Sequence, residues 1–338
     1  MRAAALVGVA GALGFLSCGS PARPTPPVEP TPVTIACPQP VTVTSPLGQP
    51  MTVVYPDAIG GSGAPPVTIS CTPASASTFP IGATSVSCTA TDTRQRTASC
   101  QFAVTVNMPP RISLTRFVAF GDSITEGEIG DAVNPTLTFQ SPSQAYPSVL
   151  RQLLTARYSA QSIALDPAGV QGESASGSST FSRFVSYTSS RRYDAITILE
   201  GSNDIATGDP AAVGRAANAL RQMVRDAKSR SVRPYLATIP PTDATRCVPA
   251  CRGRDMHAFV VPLNDAIRNV AASEGITLID VYAALNVDVA RYIGADGLHP
   301  TIAGNQQIAQ TFFDVLQQTL EVPASSNAAL AGGRGIRK

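Results

Sequence analysis

The stretch Phe117-Val118-Ala119-Phe120-Gly121-Asp122-Ser123-Ile124-Thr125-Glu126-Gly127 decides how this chain is read. A hydrophobic strand over residues 117–120 gives way to a Gly-flanked turn, and the turn carries a serine. A serine hydroxyl is a poor nucleophile near neutral pH. It needs a neutral imidazole to take its proton and an acid to hold that imidazole in the right tautomer. Far downstream, Asp296-Gly297-Leu298-His299-Pro300 supplies both, an acid three residues ahead of a histidine. Ser123 is therefore the candidate nucleophile, His299 the general base and Asp296 its orienting acid.

Around these strings the chain has a regular rhythm. Strand-like runs at 117–120, 162–165, 195–199, 234–238 and 277–281 alternate with helical patterns at 144–158, 211–228, 259–273 and 302–320. Such alternation predicts an α/β domain, a three-layer αβα sandwich on a five-stranded parallel sheet, over residues 113–322. In sheets of this kind the ligand site lies beyond the carboxyl ends of the strands, where Ser123 and Gly201 fall. Residues 128–142 form an insertion expected to line the pocket. Beyond the last helix the chain is rich in small residues without periodicity, and residues 323–338 are expected to be a disordered tail.

The first hundred residues read differently. From 34 to 107, β-branched runs at 41–44, 51–55, 67–70, 84–90 and 101–106 are separated by Gly/Pro/Ser turns, the pattern of a small all-β antiparallel sandwich. Pro109 and Pro110 mark its end, because two prolines cannot continue a ladder. Residues 19–33 are crowded with prolines and read as an extended, semi-rigid linker. Residues 1–18 combine an early Arg2 with an apolar run too short to span a bilayer comfortably, which reads as an export signal. Phe15-Leu16-Ser17-Cys18 resembles a bacterial lipobox, so Cys18 is expected to be lipidated and to provide the sole attachment to a membrane.

Composition narrows the function. With 338 residues, 43% hydrophobic and 14% charged, the chain is long enough for two cores. A formal net charge of +2 with no basic run offers no footprint for nucleic acid. Of seven cysteines, Cys18 is assigned to lipid, which leaves Cys37, Cys71, Cys88, Cys100, Cys247 and Cys251 free to pair in an oxidising compartment. Only two histidines occur, His257 and His299, and there is no His-Glu-x-x-His string, so neither metal nor other cofactor is implied. Cys247 and Cys251 with His257 lack a fourth nearby ligand and read better as a local disulfide.

The second half resembles the SGNH/GDSL hydrolase superfamily, whose four blocks occur in order: Gly121-Asp122-Ser123, Gly169-Val170-Gln171-Gly172-Glu173, Gly201-Ser202-Asn203-Asp204 and Asp296-Gly297-Leu298-His299. The resemblance implies an ester hydrolase with an oxyanion hole made of the Ser123 and Gly172 backbone N–H groups and the Asn203 side-chain amide. Taken singly, Gly172 reads better as a turn glycine and Asn203 as a loop cap; their joint order favours the functional reading. Asp122 and Asp204 read as structural, through loop hydrogen bonds. Pro167 departs from the family, which often has Asn there. The other serine hydrolase signature, Gly-x-Ser-x-Gly, is absent from the sequence.

Residues 34–107 resemble the hyalin-repeat (HYR) module, an immunoglobulin-like domain, through Cys37-Pro38, Phe79-Pro80-Ile81-Gly82-Ala83-Thr84-Ser85-Val86, Cys88-Thr89-Ala90-Thr91-Asp92 and Ser99-Cys100-Gln101-Phe102. The resemblance implies a disulfide-stapled spacer, or a module that binds a surface or carbohydrate ligand. Its four cysteines allow three connectivities, of which Cys37 with Cys100 and Cys71 with Cys88 is the one expected. The expected activity is cleavage of a small-molecule, glycan or lipid ester at the cell surface. The absence of Trp and the 6% aromatic content lean toward short acyl groups, and toward a polysaccharide deacetylase over a lysophospholipase. The competing class is a non-catalytic adhesin that displays the N-terminal module.

Overall fold

A computed structural model of the protein describes residues 31–134, 137–206, 208–246 and 252–322. The expected leader, the Cys18 lipidation site, most of the linker, the Cys247 and Cys251 pair and the tail lie outside them.

In the N-terminal part the strands are Ile35–Ala36, Val41–Thr44, Met51–Val53, Ile59–Gly60, Thr68–Thr72, Ser77–Phe79, Gly82–Thr91 and Thr97–Asn107. Along the two long strands every second residue is buried: Val86, Cys88 and Ala90 on one, Phe102, Val104 and Val106 on the other. That period of two is what a sheet with one face on a core requires. Cys37 is joined to Cys100, and Cys71 to Cys88. Asp92 accepts hydrogen bonds from the backbone of Ala64, Arg94 and Arg96, with the Arg96 guanidinium at 2.7 Å, so the carboxylate of the Cys-Thr-Ala-Thr-Asp string knots two loops. One feature departs from a purely antiparallel sandwich: Val41–Thr44 runs parallel to Thr97–Asn107, with Val41 opposite Val104.

The C-terminal part holds the expected five-stranded parallel sheet, in the order Ala164–Gly169, Arg116–Gly121, Ala195–Leu199, Arg233–Ala237, Thr277–Ile279. The strands are near-continuous apolar runs because helices cover both faces. Val118, Phe120, Ile196, Ile198 and Leu236 point into one core with Phe184, Leu220 and Leu263. Phe117, Ala119, Ala195, Leu199, Tyr235 and Ala237 alternate into the other, with Leu150, Leu154, Phe312 and Leu316.

The helices are α1 Ser123–Glu126, α2 Tyr146–Arg157, α3 Thr180–Thr188, α4 Pro210–Ser229, α5 Arg252–Glu274, α6 Val281–Asn286, α7 Val289–Tyr292 and α8 Ile302–Leu320. Caps explain where the two best-read helices begin. Asp209 accepts from the Ala211 amide ahead of Pro210, and Thr301 accepts from the Gly304 amide.

Two stretches differ from the sequence reading. The second strand extends to Gly169 through Pro167, which a sheet edge tolerates because one side of an edge strand needs no N–H donors. Arg111–Ile112, placed ahead of the domain by sequence, pairs antiparallel with Glu321–Val322. Glu321 also accepts from Arg157 and Tyr158, so this short ladder closes the domain at both ends.

Candidate active site

The first strand, Arg116–Gly121, is flanked by the second and the third; the connection after the first runs to one side and the connection after the third to the other, which opens a crevice between their carboxyl ends. Ser123 stands there as the first residue of α1. Its turn is tight for steric reasons. A Cβ on Gly121 would sit 2.5 Å from the Leu199 carbonyl oxygen and would overlap the Thr125 side chain. Asp122 caps α1 by accepting from the Ile124 amide at 3.0 Å, and Gly127 ends it in the left-handed region at φ 111°. Asp122 is fully buried, and burial pushes its carboxyl up to about 6.

The spacing of Asp296 and His299 has a direct geometric reason. Asp296 Oδ1 accepts from the backbone amides of Leu298 and His299, both at 3.1 Å, which folds the acid back over its own turn with Gly297 in the left-handed region at φ 74°. Its Oδ2 then reaches His299 Nδ1 at 2.6 Å. On the other side of the ring, Nε2 lies 3.0 Å from Ser123 Oγ. Residues 176 positions apart thus form one hydrogen-bonded row. Both ends are shielded, Ser123 being 6% and His299 9% exposed. Burial alone would lower the His299 pKa. The hydrogen bond and charge of Asp296, with the charges of Glu128 and Asp122, outweigh it and raise that pKa above the ordinary histidine value.

Gly172 and Asn203 come from the loops after the second and third strands. Asn203 Nδ2 donates to the Glu173 carbonyl at 2.8 Å, tying its own loop to the one that carries Gly172. Gly172 has φ 73°, and no neighbour lies where its Cβ would be, so the glycine is required by backbone conformation rather than by crowding. The backbone N–H groups of Ser123 and Gly172 donate to no backbone acceptor in a turn or loop among the described residues. Backbone amides and a carboxamide are the donor types that suit an oxyanion. Asp204 accepts from the Ala175 and Ser176 amides at 2.7 and 3.0 Å, a loop clamp of the kind read for it from sequence. His257 hydrogen-bonds Thr242 through Nδ1.

Several contributors were not singled out by sequence reasoning. Arg183, on α3, stacks on the Phe120 ring at 3.9 Å and donates to the carbonyls of Ala168 and Gly121. It also forms a two-pronged pair with Glu173. One guanidinium therefore pins the ends of the first two strands to the Gly172 loop. Glu200 lies behind it, fully buried, 4.0 Å from Arg183 Nη2. Its burial, with the nearby carboxylates of Asp122, Glu173 and Asp204, holds its pKa well above the usual carboxylate range. Glu128 opens a hairpin, Glu128–Gly130 against Thr138–Gln140, inside the insertion. Its Oε2 stands 3.3 Å from His299 Nε2. No string signals these groups, because each acts through neighbours distant in sequence.

The profile of the GDSL-like lipase/acylhydrolase family matches residues 119–307, and that of the HYR domain residues 28–106. The lipase/acylhydrolase from Enterococcus faecalis is similar in structure, with TM-score 0.50 and 22% identity, covering 61% of this chain and 97% of its own. The acetylxylan esterase Axe2 from Geobacillus stearothermophilus aligns with TM-score 0.47 and 20% identity, covering 61% of this chain and 95% of its own. No curated protein matches the sequence. The chain belongs to the GDSL-like lipase/acylhydrolase family, is a hydrolase of ester bonds, and carries a HYR domain ahead of its catalytic fold.

Proposed function

We propose that the protein is a serine-dependent carboxylic ester hydrolase that works at the cell surface through an acyl-enzyme on Ser123. The observation that carries this reading is the row Ser123 Oγ, His299 Nε2, His299 Nδ1, Asp296 Oδ2, with contacts of 3.0 and 2.6 Å. As Oγ attacks the ester carbon, its proton passes to His299 Nε2, and the carbonyl oxygen becomes an oxyanion held by the Ser123 and Gly172 amides and Asn203. His299 then gives the proton to the departing alcohol, leaving the acyl group on Ser123. A water repeats the sequence and releases the acid. Asp296 keeps the proton on Nδ1 and stabilises the imidazolium without taking the proton itself.

The acyl group in this reading is short, acetyl above all, and the acceptor a hydroxyl of a surface glycan. A chain without Trp and with few aromatics supports it. A second reading, esters of lipids, is favoured by the hairpin that begins at Glu128: its Val133, Leu137 and Phe139 are 85, 53 and 42% exposed. Rates on acetyl and octanoyl esters of the same alcohol separate the two, with Ser123→Ala as the control. Faster turnover of the octanoyl ester would replace the first reading by the second, and full activity in Ser123→Ala would remove the nucleophile from Ser123.

A HYR domain with two disulfides suits an oxidising, extracellular setting. No helix among the described residues is long and apolar enough to cross a membrane. In our reading Cys18 bears the lipid that keeps the enzyme at a membrane, and the HYR domain spaces it from that surface or binds a carbohydrate there. Cys18→Ser should move the protein from the membrane fraction to the medium or periplasm.

A further inference from the structure

Glu128 meets the one nitrogen of His299 that catalysis uses. With Nδ1–H given to Asp296 at 2.6 Å, a neutral His299 presents only a lone pair at Nε2. That lone pair can receive the Ser123 proton at 3.0 Å, but Glu128 Oε2, 3.3 Å away, then faces it lone pair to lone pair. One more proton relieves this conflict. The Thr138 hydroxyl donates to Glu128 Oε1 at 2.8 Å and the Gln171 amide to Oε2 at 2.9 Å, so both carboxylate oxygens already serve as acceptors. On His299 the same proton gives an Nε2–H with two acceptors, the Ser123 oxygen and a carboxylate at ion-pair distance.

The carboxylate is also built into the site. Its hairpin is locked to the histidine turn, since the Gly130 amide donates to the Pro300 carbonyl at 3.1 Å. A Cβ on Gly130 would fall 2.6 Å from the His299 carbonyl oxygen. Gln171, the other partner of Glu128, adjoins Gly172. One buried side chain thus touches the general base and the oxyanion loop together.

We propose that Glu128 is a positioning residue that holds the protonated His299 from its Nε2 side, and so sets the pH below which the enzyme rests. The proposal rests on the assignment of His299 as the base. The charged groups facing His299 are then Asp296 from its own turn, Glu128 from the hairpin and Asp122 from the cap of α1. An imidazolium formed during attack is stabilised at both nitrogens. In return, the free enzyme keeps its proton to higher pH, and the active neutral base appears only above that point.

The test compares wild type, Glu128→Gln and Glu128→Asp in two ways: the pH dependence of kcat/KM on an acetyl ester, and the imidazole nitrogen NMR titration of His299. Assignment is simple because His257 is the only other histidine. In Glu128→Gln both midpoints should fall by about one pH unit, the lower end of what an adjacent opposite charge produces. Glu128→Asp, which keeps the charge, should retain most of the elevation. Midpoints that coincide in wild type and Glu128→Gln overturn the proposal, since a merely structural Glu128 would lower kcat without moving them. Should Glu128→Gln not fold, Ser123→Ala provides the second measurement: below the midpoint its Nε2–H, with Glu128 as acceptor, should stay visible and slow to exchange, and rapid exchange overturns the proposal. The NMR midpoint needs no turnover. A protein inert to esters whose His299 midpoint still shifts would condemn the catalytic reading alone, and an active enzyme with an unmoved midpoint would condemn only this one.

Discussion

Asn203 gives its side-chain amide to the carbonyl of Glu173 at 2.8 Å, so the loop after the third strand sets the position of the loop after the second. A carboxamide has two N–H bonds, and in our reading the other one meets the oxyanion. Asn203→Ala removes both functions. We expect kcat to fall by about 10²- to 10³-fold with KM little changed, as for loss of one oxyanion donor, in steady-state assays of an acetyl ester.

Asp296→Asn should keep the turn and lose the chemistry. An amide oxygen can still accept from Leu298 and His299, the two backbone amides that Asp296 Oδ1 holds now. It cannot stabilise the imidazolium or enforce the tautomer, and kcat should drop by about four powers of ten. An unchanged thermal midpoint beside that loss would separate catalysis from folding.

The pH dependence has a definite sign. Because Asp296, Glu128 and Asp122 outweigh burial and raise the His299 pKa, the neutral base is scarce at low pH. kcat/KM should therefore climb with pH and level off only above the ordinary imidazole value of about 6.5. A midpoint below that value would show that burial wins.

Two glycines in the site should respond differently to alanine. Gly121→Ala drives a methyl against the Leu199 carbonyl and the Thr125 side chain, backbone and buried groups that cannot move aside. A loss of about 3 kcal/mol or more, or failure to fold, is expected from such overpacking. Gly172→Ala meets no atom and suffers only from φ 73°, which costs about 1–2 kcal/mol. Chemical denaturation of the two variants checks the order.

Glu200→Gln should stabilise the protein at neutral pH and progressively less in acid. The folded chain holds the Glu200 proton well above the ordinary pKa of 4.5, while the unfolded chain releases it there. Between those points the unfolded state binds fewer protons, so stability falls by about 1.4 kcal/mol for each pH unit. Glutamine has no proton to lose. The difference in melting temperature, variant minus wild type, should therefore grow from about pH 4.5 upward.

Much of this was legible before any coordinates. The run 117–120 has no polar residue, and a strand covered by helices on both faces must look like that. The boundaries 195–199 and 302–320 match the observed elements, because the first is a β-branched run that is apolar except for Thr197 and the second begins at a threonine cap. The strand-like run at 162–165 continues in the structure to Gly169 through Pro167, a residue a strand tolerates only at an edge, and only the sheet order shows that it lies there. Helix α3 is not legible in the sequence, being nine residues of mostly serine, threonine and aromatics with Arg183 its single strong former.

What the sequence determined by itself was chemistry that is local in the chain: the Gly-flanked serine turn, the acid three residues before its histidine, and the alternation of strand and helix periods. Each is enforced by contacts within a few residues. The meeting of Ser123 with His299, the reach of Arg183 across two strand ends, the burial of Glu200 and the approach of Glu128 to Nε2 were decided by the tertiary structure alone. Charges and hydrogen bonds act through space over a few ångströms, and the fold chooses which distant residues come within that range.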